Sequence, residues 1–158
     1  MCPSTYNDLF SVRKACDDDL PGIEIISEDV GMPVIESAEN TYVAVNDEDL
    51  PVGFIRIKLI DVEGGSGVGS SSQHAYVYPV AVLRSWQGYD VGTALIDVAL
   101  EQYNELRLVA CTPSHGFYPK LGFKKASWDE IAPEIANDCK VCPDADTCSP
   151  QPFIRGAR

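Results

Sequence analysis

The sequence predicts an α/β (α+β) fold, a mixed and largely antiparallel sheet flanked by helices. Three observations carry this. Apolar periodicity switches between two and about 3.6 residues along the chain, in the order β, α, β, β, β, α, β, α, β. A short polar turn joins the second and third β runs, which breaks the strict βα alternation of a parallel sheet. The apolar share of 45% and the charged share of 23% match a packed globular protein.

Residues 10–16 alternate as a strand. Asp17, Asp18 and Asp19 ahead of Leu20, Pro21, Ile23, Ile26 and Val30 then read as an N-capped helix, because acidic groups suit its positive end and proline is tolerated in a first turn. Gly31, Met32 and Pro33 end it. Residues 41–45 and 52–62 are β-branched or alternating runs joined by Asn46, Asp47, Glu48 and Asp49, a hairpin in which Phe54, Arg56 and Lys58 face opposite Ile55, Ile57 and Leu59. Residues 63–72, with four glycines and four serines, bury almost nothing and are expected to form a mobile loop bordering a site.

A third strand follows over 75–83. Val91, Ala94, Leu95, Val98 and Ala99 make a helical stripe, 106–111 returns as strand, Ser114 caps a short helix through Leu121, and 123–126 is a short strand. The tail 127–158 is expected to be a Cys- and Pro-rich strap of irregular structure. At 158 residues the chain has the length of one domain.

Twelve basic and twenty-four acidic side chains give a formal charge of -12, which opposes binding to nucleic acid or anionic lipid. No apolar run reaches the roughly 20 residues of a membrane span, and the first ten residues lack the pattern of a secretory signal. The expectation is a cytoplasmic protein with reduced thiols and no membrane partner, with room left for a homodimer. Cys139-x-x-Cys142 with Cys148 leaves zinc, a disulfide and packed thiols open, and Cys2 and His115 are the remaining candidates for a fourth ligand. Packed thiols without a metal are the expectation.

The chemistry concentrates between the third strand and its helix, at Gln87-Gly88-Tyr89-Asp90-Val91-Gly92-Thr93. A strand feeding a glycine turn that opens a helix presents free N–H groups and the positive end of a dipole, an anion site able to take pyrophosphate. Glycines at a helix start also serve tight turns alone. About twenty-five residues on comes Phe117-Tyr118-Pro119-Lys120-Leu121-Gly122-Phe123.

The first segment resembles the GNAT signature, a strand followed by (Gln or Arg)-x-x-Gly-x-(Gly or Ala). The second resembles that superfamily's Phe-Tyr-x-x-Leu-Gly-Phe segment, and Val12-Arg13 with Asp18-Asp19-Leu20-Pro21 resembles its opening, so the likeness covers about residues 10–126. Asp90 stands where the signature has glycine, which weakens acetyl-CoA binding if the carboxylate faces the phosphates.

The resemblance implies an N-acetyltransferase that uses acetyl-CoA as cosubstrate and acylates an amine by direct transfer. It implies that the backbone of Val80, Ala81 and Val82 pairs with the pantetheine arm, that Gln87 to Thr93 and Ser114 hold the cofactor, and that Tyr118 protonates the leaving thiolate. By itself Tyr118 also reads as an aromatic packed beside Phe117. His74, where the superfamily often has Glu or His, is the candidate base, and also reads as a surface residue. Alternation puts Tyr76 and Tyr78 on its side, to line the acceptor pocket or pack the sheet. The favoured acceptor is a small molecule such as an amino acid or polyamine. Alternatives are a protein N-terminus or lysine and a catalytically weak CoA-binding sensor, the last supported by Asp90.

Overall fold

The computed structural model describes residues 9–61, 73–110, 116–140 and 147–156, save the side chains of residues 139 and 140. The expected loop 63–72 and the proposed cap Ser114 lie outside the described residues. Among the described residues seven strands form one sheet in the order β1-β2-β3-β4-β5-β7-β6. They are β1 (Ser11–Lys14), β2 (Thr41–Val45), β3 (Pro51–Asp61), β4 (Gln73–Val82), β5 (Glu105–Ala110), β6 (Lys124–Lys125) and β7 (Gln151–Gly156). The chain divides into two compact units, Met1–Lys58 with Val77–Gln102, and Leu59–Tyr76 with Tyr103–Arg158; β3 and β4 run through both.

In the first unit, β1 and β2 are antiparallel with Ser11 opposite Val45, and β2 and β3 are antiparallel with Thr41 opposite Arg56. Asn46 shapes their turn, its Oδ1 accepting from the N–H groups of Glu48 at 2.9 Å and Leu50 at 3.0 Å. Helix α1 (Leu20–Val30) buries Ile23 and Ile26 against Val43, Val45, Phe54 and Ala81. Each such side chain contributes about 1.5–3 kcal/mol. Gly31 ends the helix at φ 75, a left-handed turn that glycine adopts without steric cost.

The acidic triplet does not cap α1 as expected. Asp17–Asp19 forms a 3-10 turn, and the Asp19 carboxylate is turned back to accept from both Arg13 Nη atoms at 2.8 Å and from the Cys16 N–H at 2.9 Å. A bidentate guanidinium outweighs one cap bond. Its hydrogen bonds hold the Asp19 carboxyl below the usual carboxylate range.

Helix α2 (Val91–Tyr103) lays Val91, Ala94, Leu95, Val98 and Ala99, the stripe read from sequence, into the core. Gly53 lets β3 approach its start. A Cβ there would lie 2.9 Å from Val91 Cγ1 and 3.2 Å from the Ala81 carbonyl oxygen.

In the second unit, β4 runs parallel to β5 with Tyr76 opposite Arg107, while β7 is antiparallel to both β5 and β6. Leu106, Leu108 and Phe153 are buried here. Helices α3 (Phe117–Lys120) and α4 (Pro133–Lys140) complete it. The irregular strap expected over 127–158 is thus corrected for much of its length, since β7 pairs with β5 from Gln151 opposite Ala110 to Gly156 opposite Glu105. Pro152 masks the strand in sequence because proline cannot donate to a ladder. Its carbonyl still accepts from the Ala126 N–H at 2.9 Å.

Candidate active site

In the first unit the end of β4 carries Val80, Ala81 and Val82, the first two buried. After it the chain turns through Arg84–Trp86 and reaches α2 by an exposed tetrad, Gln87 to Asp90. Two links fix the turn. The Arg84 N–H donates to Asp29 Oδ2 and Arg84 Nε to the Asp29 carbonyl, both at 2.8 Å, tying it to the end of α1. Gln87 Nε2 donates to the Val82 carbonyl at 3.1 Å.

Gly88 stands at φ 93 and Asp90 at φ 67. The signature's glycine position therefore does require the left-handed region, and here an aspartate occupies it, a residue type that tolerates that region better than most. The first helical bond of α2 runs from the Ala94 N–H to the Asp90 carbonyl at 3.0 Å. The N–H groups of Val91, Gly92 and Thr93 precede it and have no acceptor within the helix. Nothing lies within 4 Å of where a Cβ on Gly88 would sit. An open turn over unspent N–H groups fits a pyrophosphate, with the Asp90 charge as the opposing feature.

In the second unit Tyr118 packs its ring against Phe117, Phe123 and Phe153, with centroids 5.0, 5.5 and 6.0 Å away. These contacts fix the ring. Tyr118 is half-buried, at the second position of α3.

A cavity of about 500 Å³ lies in the same unit. His74 and Tyr76 of β4 line it together with Arg107 of β5 and residues 129–134. Tyr76 is fully buried and its hydroxyl accepts from the Ala132 N–H at 2.9 Å, so it anchors the cavity wall. Burial, and secondarily the Arg107 charge, push the His74 imidazole below its ordinary pKa, so it is neutral at pH 7 and able to accept a proton. Tyr78 is placed differently. It lies in the first unit under Lys58 Nζ, 4.9 Å from its ring centroid, with the Arg56 guanidinium at 6.0 Å.

Arg107 was missed in sequence, although alternation marks it. Leu106, Leu108 and Ala110 point into the core, which leaves Glu105 and Arg107 together on the other face. Arg84 and Asp29 carried no local signal, since 55 residues separate them. Cys142 lies outside the described residues, as does the Cys139 side chain, and Cys148 is half-buried. Among the described residues no group of three or more His, Cys, Asp or Glu side chains is arranged to hold a metal ion.

The model of the acetyltransferase (GNAT) family matches residues 5–123. No curated protein matches the chain in sequence. Among solved structures, Ard1 from Thermoplasma volcanium superposes with a TM-score of 0.66 at 18% identity, over 95% of this chain and 99% of its own. Arabidopsis thaliana Naa50, bound to the bisubstrate analogue CoA-Ac-MVNAL, gives 0.62 at 20% identity over 93% and 98%. The Bacillus subtilis N-acetyltransferase YlbP, bound to coenzyme A, gives 0.60 at 13% over 94% and 97%. These likenesses establish a common fold, the family match extends over most of the chain, and the protein belongs to the GNAT family of acetyltransferases.

Proposed function

We propose that the protein transfers an acetyl group from acetyl-CoA to a primary amine of a small molecule, directly and without an acyl-enzyme. The observation that carries the small-molecule reading is the cavity beside His74 and Tyr76, whose volume of about 500 Å³ lies in the range typical of small-ligand sites. Bound there, the acceptor amine loses its proton to the neutral His74. The N–H groups of Val91, Gly92 and Thr93 hold the diphosphate of the donor, and the backbone of Val80 to Val82 pairs with its pantetheine arm. A backbone N–H of the same strand stabilises the oxyanion, and Tyr118 gives its phenolic proton to the departing thiolate. Bond making and breaking balance: amine and thioester become amide and thiol. The cytosol, which holds acetyl-CoA and keeps thiols reduced, is the proposed compartment.

A second reading, acetylation of a protein N-terminus, is favoured by the peptide-bearing analogue bound to the Arabidopsis protein. Thiol release from acetyl-CoA against amino acids, polyamines and peptides with free N-termini separates the two. Small amines are expected to give the higher kcat/KM. Faster turnover of peptides would replace the small-molecule reading with the second.

A further inference from the structure

We infer that the cavity in the second unit takes an α-amino acid, whose carboxylate Arg107 recognises. This deepens the proposed small-amine transferase and rests on it. Arg107 stands opposite Tyr76 in the β4–β5 register, with His74 two residues earlier on the same face of β4. Its side chain is 13% exposed. Nε donates to Glu105 Oε1 at 3.0 Å and Nη1 donates to the Glu130 carbonyl. Those bonds engage one nitrogen on each edge of the guanidinium, and Nη2 is shared by both edges. Nη2 has no acceptor among the described residues, although the side chain is largely withdrawn from water and lines the cavity.

Arg107 is ion-paired with Glu105, and its Nη2 keeps N–H donors that a carboxylate oxygen can take over from water in a charge-assisted hydrogen bond. The rest of the lining narrows the choice. Asp61 accepts from Gln73 Nε2 at 3.0 Å and Glu130 from the Ser127 N–H at 3.0 Å, so these two carboxylates are engaged. Asp129 and Glu134 are exposed on the lining. The cavity is therefore bipolar, with Arg107, paired to Glu105, within and carboxylates nearer the solvent. A simple anion meets the acidic lining, and a diamine meets Arg107. An α-amino acid satisfies both, and places its amine one carbon from the carboxylate, where His74 can take the proton. A peptide N-terminus has a neutral amide in place of that carboxylate and forgoes the Arg107 contact. The exposed carboxylates further disfavour an acidic side chain.

The test compares free L-alanine, L-lysine and L-glutamate with the C-terminal amides of alanine and lysine at saturating acetyl-CoA. Wild type is expected to prefer each free acid over its amide by at least tenfold in kcat/KM, with glutamate the poorest acid. In Arg107→Gln that preference collapses to within about threefold, a loss of the size expected for a charge-assisted hydrogen bond. Arg107→Lys, which keeps the charge and loses the planar Nη2 donor, falls between, and serves alone if Arg107→Gln does not fold. Equal use of acids and amides by wild type overturns the inference and leaves the transferase reading standing. Absence of turnover with every amine defeats the transferase reading instead. Binding of N-acetyl-L-alanine, read by calorimetry and lost in the Arg107 variants, then decides the Arg107 assignment independently, and no binding by wild type overturns it.

Discussion

The turn at the start of α2 and the cavity beside β5 are built by opposite means. The turn is one contiguous stretch, Leu83 to Thr93, whose conformation follows from local chemistry: a glycine at φ 93, an aspartate at φ 67, and a helix whose first N–H groups are unspent. The cavity gathers residues from the end of β3, the start of β4, β5 and the segment 129–134. The first offers unpaired helix N–H groups of the kind that any suitable phosphate satisfies. The second supplies an arrangement of His74, Tyr76 and Arg107 that few ligands complement. On the proposed function, donor binding belongs to the first unit, while acceptor choice and proton transfer belong to the second. Substitutions should respect that division, changing the KM for acetyl-CoA in one case and turnover or acceptor use in the other.

The sharpest way to break the division is Tyr118→Phe. General acid catalysis needs the phenol held within hydrogen-bond reach of the departing thiolate. Position is what the three surrounding phenylalanine rings provide, and the substitution keeps them packed. Turnover should fall by about 10² to 10⁴, roughly 3–5 kcal/mol of barrier, with the melting temperature and acetyl-CoA affinity preserved. A lower melting point with turnover per folded molecule unchanged would make Tyr118 a packing residue.

His74 gives the next largest effect, and a pH dependence of definite sign. Its folded pKa is depressed below about 6.5, so the neutral form is lost only as pH falls through that lower value. kcat/KM for the acceptor should therefore show an acid limb below about 6.5, separate from the alkaline rise as the amine itself deprotonates. His74→Gln should lower turnover about 10²-fold and abolish the acid limb while the amine limb persists. In the unfolded chain the imidazole takes up its proton first on acidification, so wild-type stability should also fall as pH drops through this window. An acid limb that persists in His74→Gln assigns the base elsewhere.

The two regions differ as much in legibility as in chemistry. The turn, the stripe of α2 and the hairpin over Asn46 were readable because each is decided within a few residues. Asp17–Asp19 was misread as a cap because its competitor, Arg13, lies on another element. β7 was hidden by Pro150 and Pro152, which suggest a loop, although Phe153 is buried without exposure and pairs with Leu108. The cavity was half legible: His74 and Tyr76 share a strand face that alternation reveals. Arg107 and the 129–134 segment join them through pairing that no local pattern encodes.

Asp90→Gly tests the first unit and carries the smallest effect. Two terms act on Asp90. Its φ of 67 lies in a region glycine enters freely and other residues enter at a cost, which aspartate bears better than most. Its carboxylate sits at the opening of a helix whose free N–H groups are read as the diphosphate site, where like charge opposes binding. Glycine removes both, but it also gives the unfolded chain more freedom, so relief of strain and gain of entropy nearly cancel and stability should stay within about 0.5 kcal/mol. The electrostatic term has no such offset. Affinity for acetyl-CoA should rise about tenfold, seen as a lower KM and as roughly 1.4 kcal/mol of additional ligand stabilisation at the same saturating concentration of acetyl-CoA. High salt should narrow the gap between variant and wild type, because Asp90 is exposed and its charge is screened. kcat should be unchanged, since the proton transfers lie in the other unit. If the substitution instead alters kcat and leaves acetyl-CoA affinity untouched, then the turn is not where the diphosphate binds, and the division of labour between the two units fails.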